Sequence, residues 1–398
     1  MLVIVAATLS LLLGVLPASG NDATAAGPGP GYIATDNVEW LGNIPINTGS
    51  AGARIHGGYL YVTDDRGLSI YDISNPALPV LTGFTPLPQQ AYFTEEDVDT
   101  NGKILLIGSF GDLTDSAAPL NRVFVIEVSD KRVPKVRSWV DGANAHTISC
   151  VADCTYAYGS NVTVIDLRNP DAPVKLTRKW WTGTPVQGSH DVTEVAPNRV
   201  VTSSKPILLL DTTNPALPTV ITQGTVPDNR LIHGNLWPRG GTDKYLLVGG
   251  ESGGDCNKTT AGAFMTWDAS KVLDTSLPAA DRQFKMNDQF RLETGDPMEG
   301  NSPYDQSCAH WFTTHPTYAD GGLVAMGWYE HGTRFLNVDP ATGKISEKGW
   351  FYPLGGSTSA AYWVTSAPCR APDPAGRGPT DHWTCGPACP KLSLCNGT

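Results

Sequence analysis

"SIYDISNPALPVLTG" (residues 69–83) decides the fold, because it returns as "TVIDLRNPDAPVKLT" (163–177) and as "LLLDTTNPALPTVIT" (208–222). Each copy leads β-branched and apolar residues into an acidic residue (Asp72, Asp166, Asp211), then an Asn-Pro pair, a second Pro and a new apolar run. The apolar runs read as strands. The Asn-Pro segment reads as a turn, where proline's fixed φ and missing N–H cost nothing. Just upstream, "GGYLYVTDDRG" (57–67) supplies one more strand and a tight turn.

Weaker copies fill the gaps: "RVFVIEVSDKRVPKV" (122–136), "AFMTWDASKVLD" (263–274) and "TRFLNVDPATGKI" (333–345). Their acidic anchors are Glu127, Asp268 and Asp339. A repeat of about 40–50 residues with four short strands is the mark of a β-propeller blade, and longer steps mark loop insertions. The expectation is an all-β propeller, with seven blades as the leading count and six as the alternative. The end blades are fragmentary. "NVEWLGNIPI" (37–46) matches only an outer strand, and "SAAYWVTSAPC" (359–369) only inner strands. An N-terminal strand that completes the last blade would close the ring and hide its open edges. The expected division is a leader at 1–20, a flexible segment at 21–36, the propeller at 37–368 and a Cys-rich segment at 369–398.

The chain has 398 residues and a formal net charge of −11, with no cationic run. A polyanion requires a basic surface, so nucleic acid is excluded as a partner. "MLVIVAATLSLLLGVLPASGND" pairs an apolar stretch with small residues Ala18, Ser19 and Gly20, and reads as a secretory leader although no Lys or Arg precedes it. It is short of the ~20 unbroken apolar residues of a membrane span. Eight cysteines suit an oxidising compartment. Cys150 and Cys154 are expected to bridge a hairpin. Cys369, Cys385, Cys389 and Cys395 are expected to staple the C-terminal segment, with zinc as the competing reading. Cys256 and Cys308 lie in loops expected on one face of adjacent blades, and a disulfide there competes with Cys308 as a thiolate ligand. Asn161, Asn257 and Asn396 begin glycosylation sequons.

The three quoted repeats resemble the LVIVD-repeat propellers, a family of secreted and surface proteins. The resemblance covers most of residues 37–350 and implies the fold, with no single activity attached to it.

Chemistry is expected at one mouth of the channel. The blade openings read "EDVDT" (96–100), "HTISC" (146–150), "HDVTE" (190–194), "HGNLW" (233–237) and "HWFTT" (310–314). In that register His146, His190, His233 and His310 converge on the axis, as neutral imidazoles around a transition metal would. Glu96 and Asp191 are candidate outer carboxylates that orient the rings, with His331 as a third candidate outer-shell residue. Asp64, Asp65, Arg66, Glu251, Glu330 and His331 lie on loops of the same face, with Trp237, Trp311 and Trp328 near the openings. Imidazole ligands with a nearby carboxylate favour copper or iron over calcium and magnesium. The arrangement is similar in architecture to carotenoid-cleavage oxygenases, with four propeller histidines on iron, and to selenium-binding proteins such as methanethiol oxidase, with channel histidines and copper. That similarity implies oxidoreductase chemistry. The alternatives are a binding or adhesion propeller with a structural polar channel, and a hydrolase. A small-molecule substrate or protein ligand at the propeller face, and a monomeric state, complete the expectation.

Overall fold

Among the described residues six antiparallel sheets follow one another along the chain, five of four consecutive strands and the last of four consecutive strands plus one from near the N-terminus. The computed structural model describes residues 2–8, 31–44, 52–64, 66–87, 98–109, 121–143, 145–160, 163–227, 230–251, 262–292, 308–354 and 357–364, the first of these by backbone alone. Strand β1 (Leu2–Thr8) and strand β2 (Tyr32–Ala34) come first in sequence but pair with strands near the end. Blade one holds β3 (Ala53–His56), β4 (Tyr59–Asp64), β5 (Gly67–Asp72) and β6 (Val80–Pro86). Blade two follows with β7 (Val98–Thr100), β8 (Ile104–Gly108), β9 (Arg122–Glu127) and β10 (Lys135–Asp141). Next are β11 (Ile148–Val151), β12 (Tyr156–Gly159), β13 (Thr163–Asp166) and β14 (Val174–Lys179) of blade three. Blade four comprises β15 (Val192–Ala196), β16 (Arg199–Thr202), β17 (Ile207–Asp211) and β18 (Thr219–Gly224). In blade five these are β19 (Leu231–Leu236), β20 (Tyr245–Glu251), β21 (Phe264–Asp268) and β22 (Lys285–Phe290). Blade six has β23 (Phe312–Thr314), β24 (Gly322–Gly327), β25 (Thr333–Val338) and β26 (Ile345–Pro353), and β27 (Ser357–Val364) ends the ring.

The acidic anchors explain why the repeat is written as it is. Each stands at the end of a third strand, where its carboxylate accepts the backbone N–H two residues on. Asp72 takes Ser74 N–H at 2.8 Å, Asp166 takes Arg168 N–H at 3.0 Å, and Asp211 takes Thr213 N–H at 2.8 Å. Glu127, Asp268 and Asp339 do the same for Ser129, Ser270 and Ala341. Asn75, Asn169 and Asn214 then accept from Ala77, Asp171 and Ala216, so two side chains in succession shape one turn.

The cores lie between blades. Middle strands are apolar on both sides, so each packs against the sheets before and after it. Ile70 of blade one meets Leu105 and Phe124 of blade two, and Val201 and Leu209 of blade four meet Leu246 and Met265 of blade five, all fully or almost fully buried. Removing that apolar area from water is the main source of stability.

The ring therefore has six complete blades, the lower of the two expected counts. β27 lies between blades six and one. Trp363 donates its indole N–H to Thr313 O at 3.1 Å, and the Tyr362 hydroxyl donates to Ala53 O. β1 pairs with the edge of β27, and β2 adds a fifth strand outside β26. Residues 37–44, expected as an outer strand, are irregular. After β2 the chain turns, with Val38 N–H on Thr35 O, and its side chains wedge inward. Trp40 stacks on Phe351 at 5.3 Å, while Leu41 and Ile44 pack on Leu60, Val62 and Val364. Side-chain packing thus takes the place of a ladder there. β2 falls inside the segment 21–36 that sequence reads as flexible. No helix among the described residues is long and apolar enough to cross a membrane.

Candidate metal centre

The four histidines meet. His146 lies two residues before β11, His190 two before β15 and His310 two before β23, while His233 occupies the bulge of β19 between Ile232 and Gly234. Successive ring centroids are 5.0 Å apart for His146 and His190, 4.0 Å for His190 and His233, and 3.9 Å for His233 and His310. His233 and His310 are buried; His146 and His190 are half-buried. Blade openings are set by backbone pairing that repeats: His190 N–H reaches Ser203 O at 3.0 Å, and His310 N–H reaches Gly327 O at 2.9 Å.

Two of the rings are fixed in tautomer by a carbonyl of a neighbouring strand. His190 donates Nδ1–H to His233 O at 3.0 Å, and His310 donates Nδ1–H to Ser359 O at 2.7 Å. A carbonyl oxygen can only accept, so Nδ1 carries the proton and the neutral ring's lone pair sits on Nε2. His190, His233 and Glu251 each offer one ligand atom, and these three atoms all lie within 4.8 Å of one another. Glu251 ends β20. Its carboxylate accepts the Tyr329 hydroxyl at 2.8 Å, and the Tyr329 ring sits 4.5 Å from that of His310. Trp311 covers the group, with its ring 4.7 Å from His233 and 6.3 Å from His190. Gly234 makes room: a Cβ there would come within 3.1 Å of the indole.

The remaining expected residues go elsewhere. Asp191 turns away from the rings, as alternation along an extended chain requires. Its carboxylate accepts Ser149 Oγ at 3.3 Å and Thr193 Oγ1 at 3.2 Å. Burial pushes its pKa up to about 7, against the pull of Arg54 and with a push from Asp99. Arg54 and Asp99 form an ion pair at 2.7 Å, and Asp99 also accepts Cys150 N–H at 2.8 Å. The inner strands β3, β7, β11 and β15 are thus tied to one another by polar side chains. His331 is buried in the β24–β25 turn. Asp64 is committed to its own turn, holding Arg66 at 2.6 Å. Trp237 donates to Asp243 O and Trp328 packs on Phe290, both as blade packing. Glu96 and Asp65 lie outside the described residues, as do Cys256, Cys369, Cys385, Cys389, Cys395 and the three sequon asparagines.

Cys150 and Cys154 are bonded. The bridge lies within the turn rather than across the hairpin, because Cys150 faces Ala157 in the ladder and Cys154 has φ +57°. Cys308, buried two residues before His310, is disulfide-bonded too, which excludes it as a thiolate ligand. Two features of the site carry little signal in the sequence. Glu251 reads in the sequence as a loop residue of this face, because it lies outside the inner-strand openings that repeat with the blades. Tyr329 carries no repeat signal at all.

Fold and site together define a β-propeller with clustered histidines at one channel mouth. The family model described as the LVIVD repeat matches residues 51–84, the first three strands of blade one of this β-propeller together with the start of its fourth strand. No curated protein matches it. Solved structures similar to it include the β-propeller domain of Myceliophteria thermophila Cps50 (Swd1), at 13% identity and TM-score 0.49, covering 75% of this chain and 85% of that one. A protein from Lactobacillus plantarum has 11% identity and TM-score 0.48, covering 79% and 88%. Apo AztD from Citrobacter koseri has 12% identity and TM-score 0.44, covering 75% and 72%.

Proposed function

We propose that this propeller is an exported metalloprotein with oxidoreductase activity, which holds a transition metal at the channel mouth through His190, His233 and Glu251. The observation that carries the reading is the convergence of those three donor atoms within 4.8 Å. Two imidazoles and one carboxylate leave coordination positions open, the donor set of non-haem iron(II) oxygenases. His146 and His310 flank the set at adjoining blades and supply further imidazoles, which suits copper as well. Trp311 and Tyr329 give the open side an aromatic wall for an organic substrate. Export is supported by the apolar N-terminal stretch and by the Cys150–Cys154 bond, since such bonds persist in oxidising compartments.

The second reading, a binding or adhesion propeller, rests on the carbonyl contacts of His190 and His310, which also fasten one blade opening to the next strand. Elemental analysis of protein purified without a histidine tag and reloaded with iron(II) or copper(II) separates the two. The metal reading expects bound metal in the wild type and its loss in Glu251→Gln and His233→Ala. A wild type that retains neither metal after desalting overturns it.

A further inference from the structure

We propose a second site on the opposite face: the rim between blades four and five binds a small organic anion, an oxyanion head on an apolar body. A cavity of about 360 Å³ opens there. One wall is blade four, with Arg199 at the start of β16, Asp211 at the end of β17 and Ile221 in β18. The other wall is an insertion. Between β21 and β22 the chain replaces the short connection of the other blades (Asn-Pro in blades one, three and four) with residues 269–284, a longer connection with a 3-10 turn at Ala279–Asp281. That connection is bound to blade four by Thr222 Oγ1 on Arg282 O and by Phe284 N–H on Gln223 O at 3.1 Å. It contributes Val272, Leu273 and Arg282 to the cavity.

The two arginines are the telling feature. Elsewhere Arg54, Arg122, Arg137, Arg168 and Arg334 each hold a carboxylate within ion-pair distance. Among the described residues Arg199 and Arg282 hold none, and both line this one cavity. Arg282 Nε is buried and has no hydrogen-bond partner among the described residues. Nε is closed to solvent, but Arg282 as a whole is partly exposed, so the outer part of its guanidinium fork is what a ligand in the cavity meets. Asp211, the single carboxylate of the lining, is engaged with Thr213 N–H of its own turn and Asp274 acts on Arg282 from beyond the lining, so the charged groups that line the cavity are two guanidiniums and one aspartate. Guanidinium forks match carboxylate and phosphate oxygens, and Ile221, Val272 and Leu273 provide the apolar surface beside them. The inference does not depend on the metal centre.

Calorimetric titration of the full chain tests it, with hexanoate, phenyl phosphate, inorganic phosphate and hexanol as probes. Saturable binding of hexanoate or phenyl phosphate is expected, and the tighter of the two identifies the head as carboxylate or phosphate. Hexanol should not bind. Arg199→Gln and Arg282→Gln should each weaken binding roughly tenfold or more, the scale of a lost charge-assisted hydrogen bond, while His190→Ala leaves it unchanged. Competition between the two organic anions in the wild type should show one shared site, a result that holds even where a variant fails to fold. Binding of neither organic anion, or wild-type affinity in both arginine variants, overturns the site. Inorganic phosphate binding as tightly as phenyl phosphate overturns the apolar half of the assignment.

Discussion

Tyr329 is the residue on which the proposed metal centre turns, although it ligates nothing. Its backbone is held in an uncommon conformation, φ +35°, by a tight turn in which Gly332 N–H bonds Tyr329 O at 3.1 Å, and Thr358 N–H of β27 bonds the same oxygen at 2.7 Å. Non-glycine residues at positive φ gather where a side chain must be aimed. Here the aim is the Glu251 carboxylate, which an isolated loop residue would leave mobile. Outer partners that orient a ligand typically govern ~10–100-fold in metal affinity. Tyr329→Phe should therefore weaken iron(II) or copper(II) binding by roughly tenfold or more while the unfolding temperature of the metal-free protein stays put. Unchanged affinity, measured by competition with a chelator, would remove Tyr329 from the site. Gly332, with φ +76° and the Phe351 oxygen 2.2 Å from where a Cβ would sit, is required by the same turn. Little of this was legible beforehand. The histidines were found because they repeat with the blades; Tyr329 and the ligand role of Glu251 depend on where two loops meet, which no periodicity encodes.

At the scale of the element, the Asx turn after each third strand was legible in full. The reason is that its information is local: an acidic side chain, a proline and an amide two residues on lie within a few positions of one another. Hydrogen bonds set the charge of these groups as well. Asp166 is lowered by Arg168, Glu127 by the Ser129 hydroxyl, Asp211 by Thr213 and Asp339 by Thr342. A carboxylate whose folded pKa is depressed lends stability that is fully present above its unfolded value, near 4, and is lost as pH falls through the folded value. These turn carboxylates should thus make the unfolding temperature drop below about pH 4, whereas Asp191, raised to about 7 by burial, works the other way and adds stability as pH falls from about 7 toward 4. Asp166→Asn should flatten part of that drop, and Asp166→Ala should cost about 1 kcal/mol at neutral pH, the worth of an ordinary hydrogen bond. An acid limb unchanged in Asp166→Asn would show that the turns do not set it. The outer strand expected at 37–46 failed for the opposite reason. Its apolar residues suit a strand, but whether they find a ladder depends on chain 300 residues away, where β26 takes β2 and β27 takes the space between blades.

For the whole molecule, the uncertain quantity was how the ring ends, and the structure closes it with borrowed strands. β1 lies in the stretch that reads as a leader and pairs with β27 from Leu2↔Val364 to Thr8↔Ser357. Export with cleavage after the small residues 18–20 would remove that strand and uncover one edge of β27. N-terminal sequencing of protein recovered from the medium should begin just beyond Gly20; a mature chain that still starts at Met1 or Leu2 would make β1 a permanent part of the ring. The ring has one more consequence, and it concerns ancestry. His146, His190 and His310 occupy the same place in blades three, four and six, with His233 at the bulge of the first strand of blade five. In a ring enlarged by copying one unit, whatever residue begins the innermost strand is delivered to the common axis once per copy. A lone histidine at that position in an ancestral blade is an indifferent ligand, but tandem duplication of the gene segment multiplies it into a chelating set before any further mutation occurs. The proposed metal site would then be a by-product of how such a ring grew, available for selection to refine.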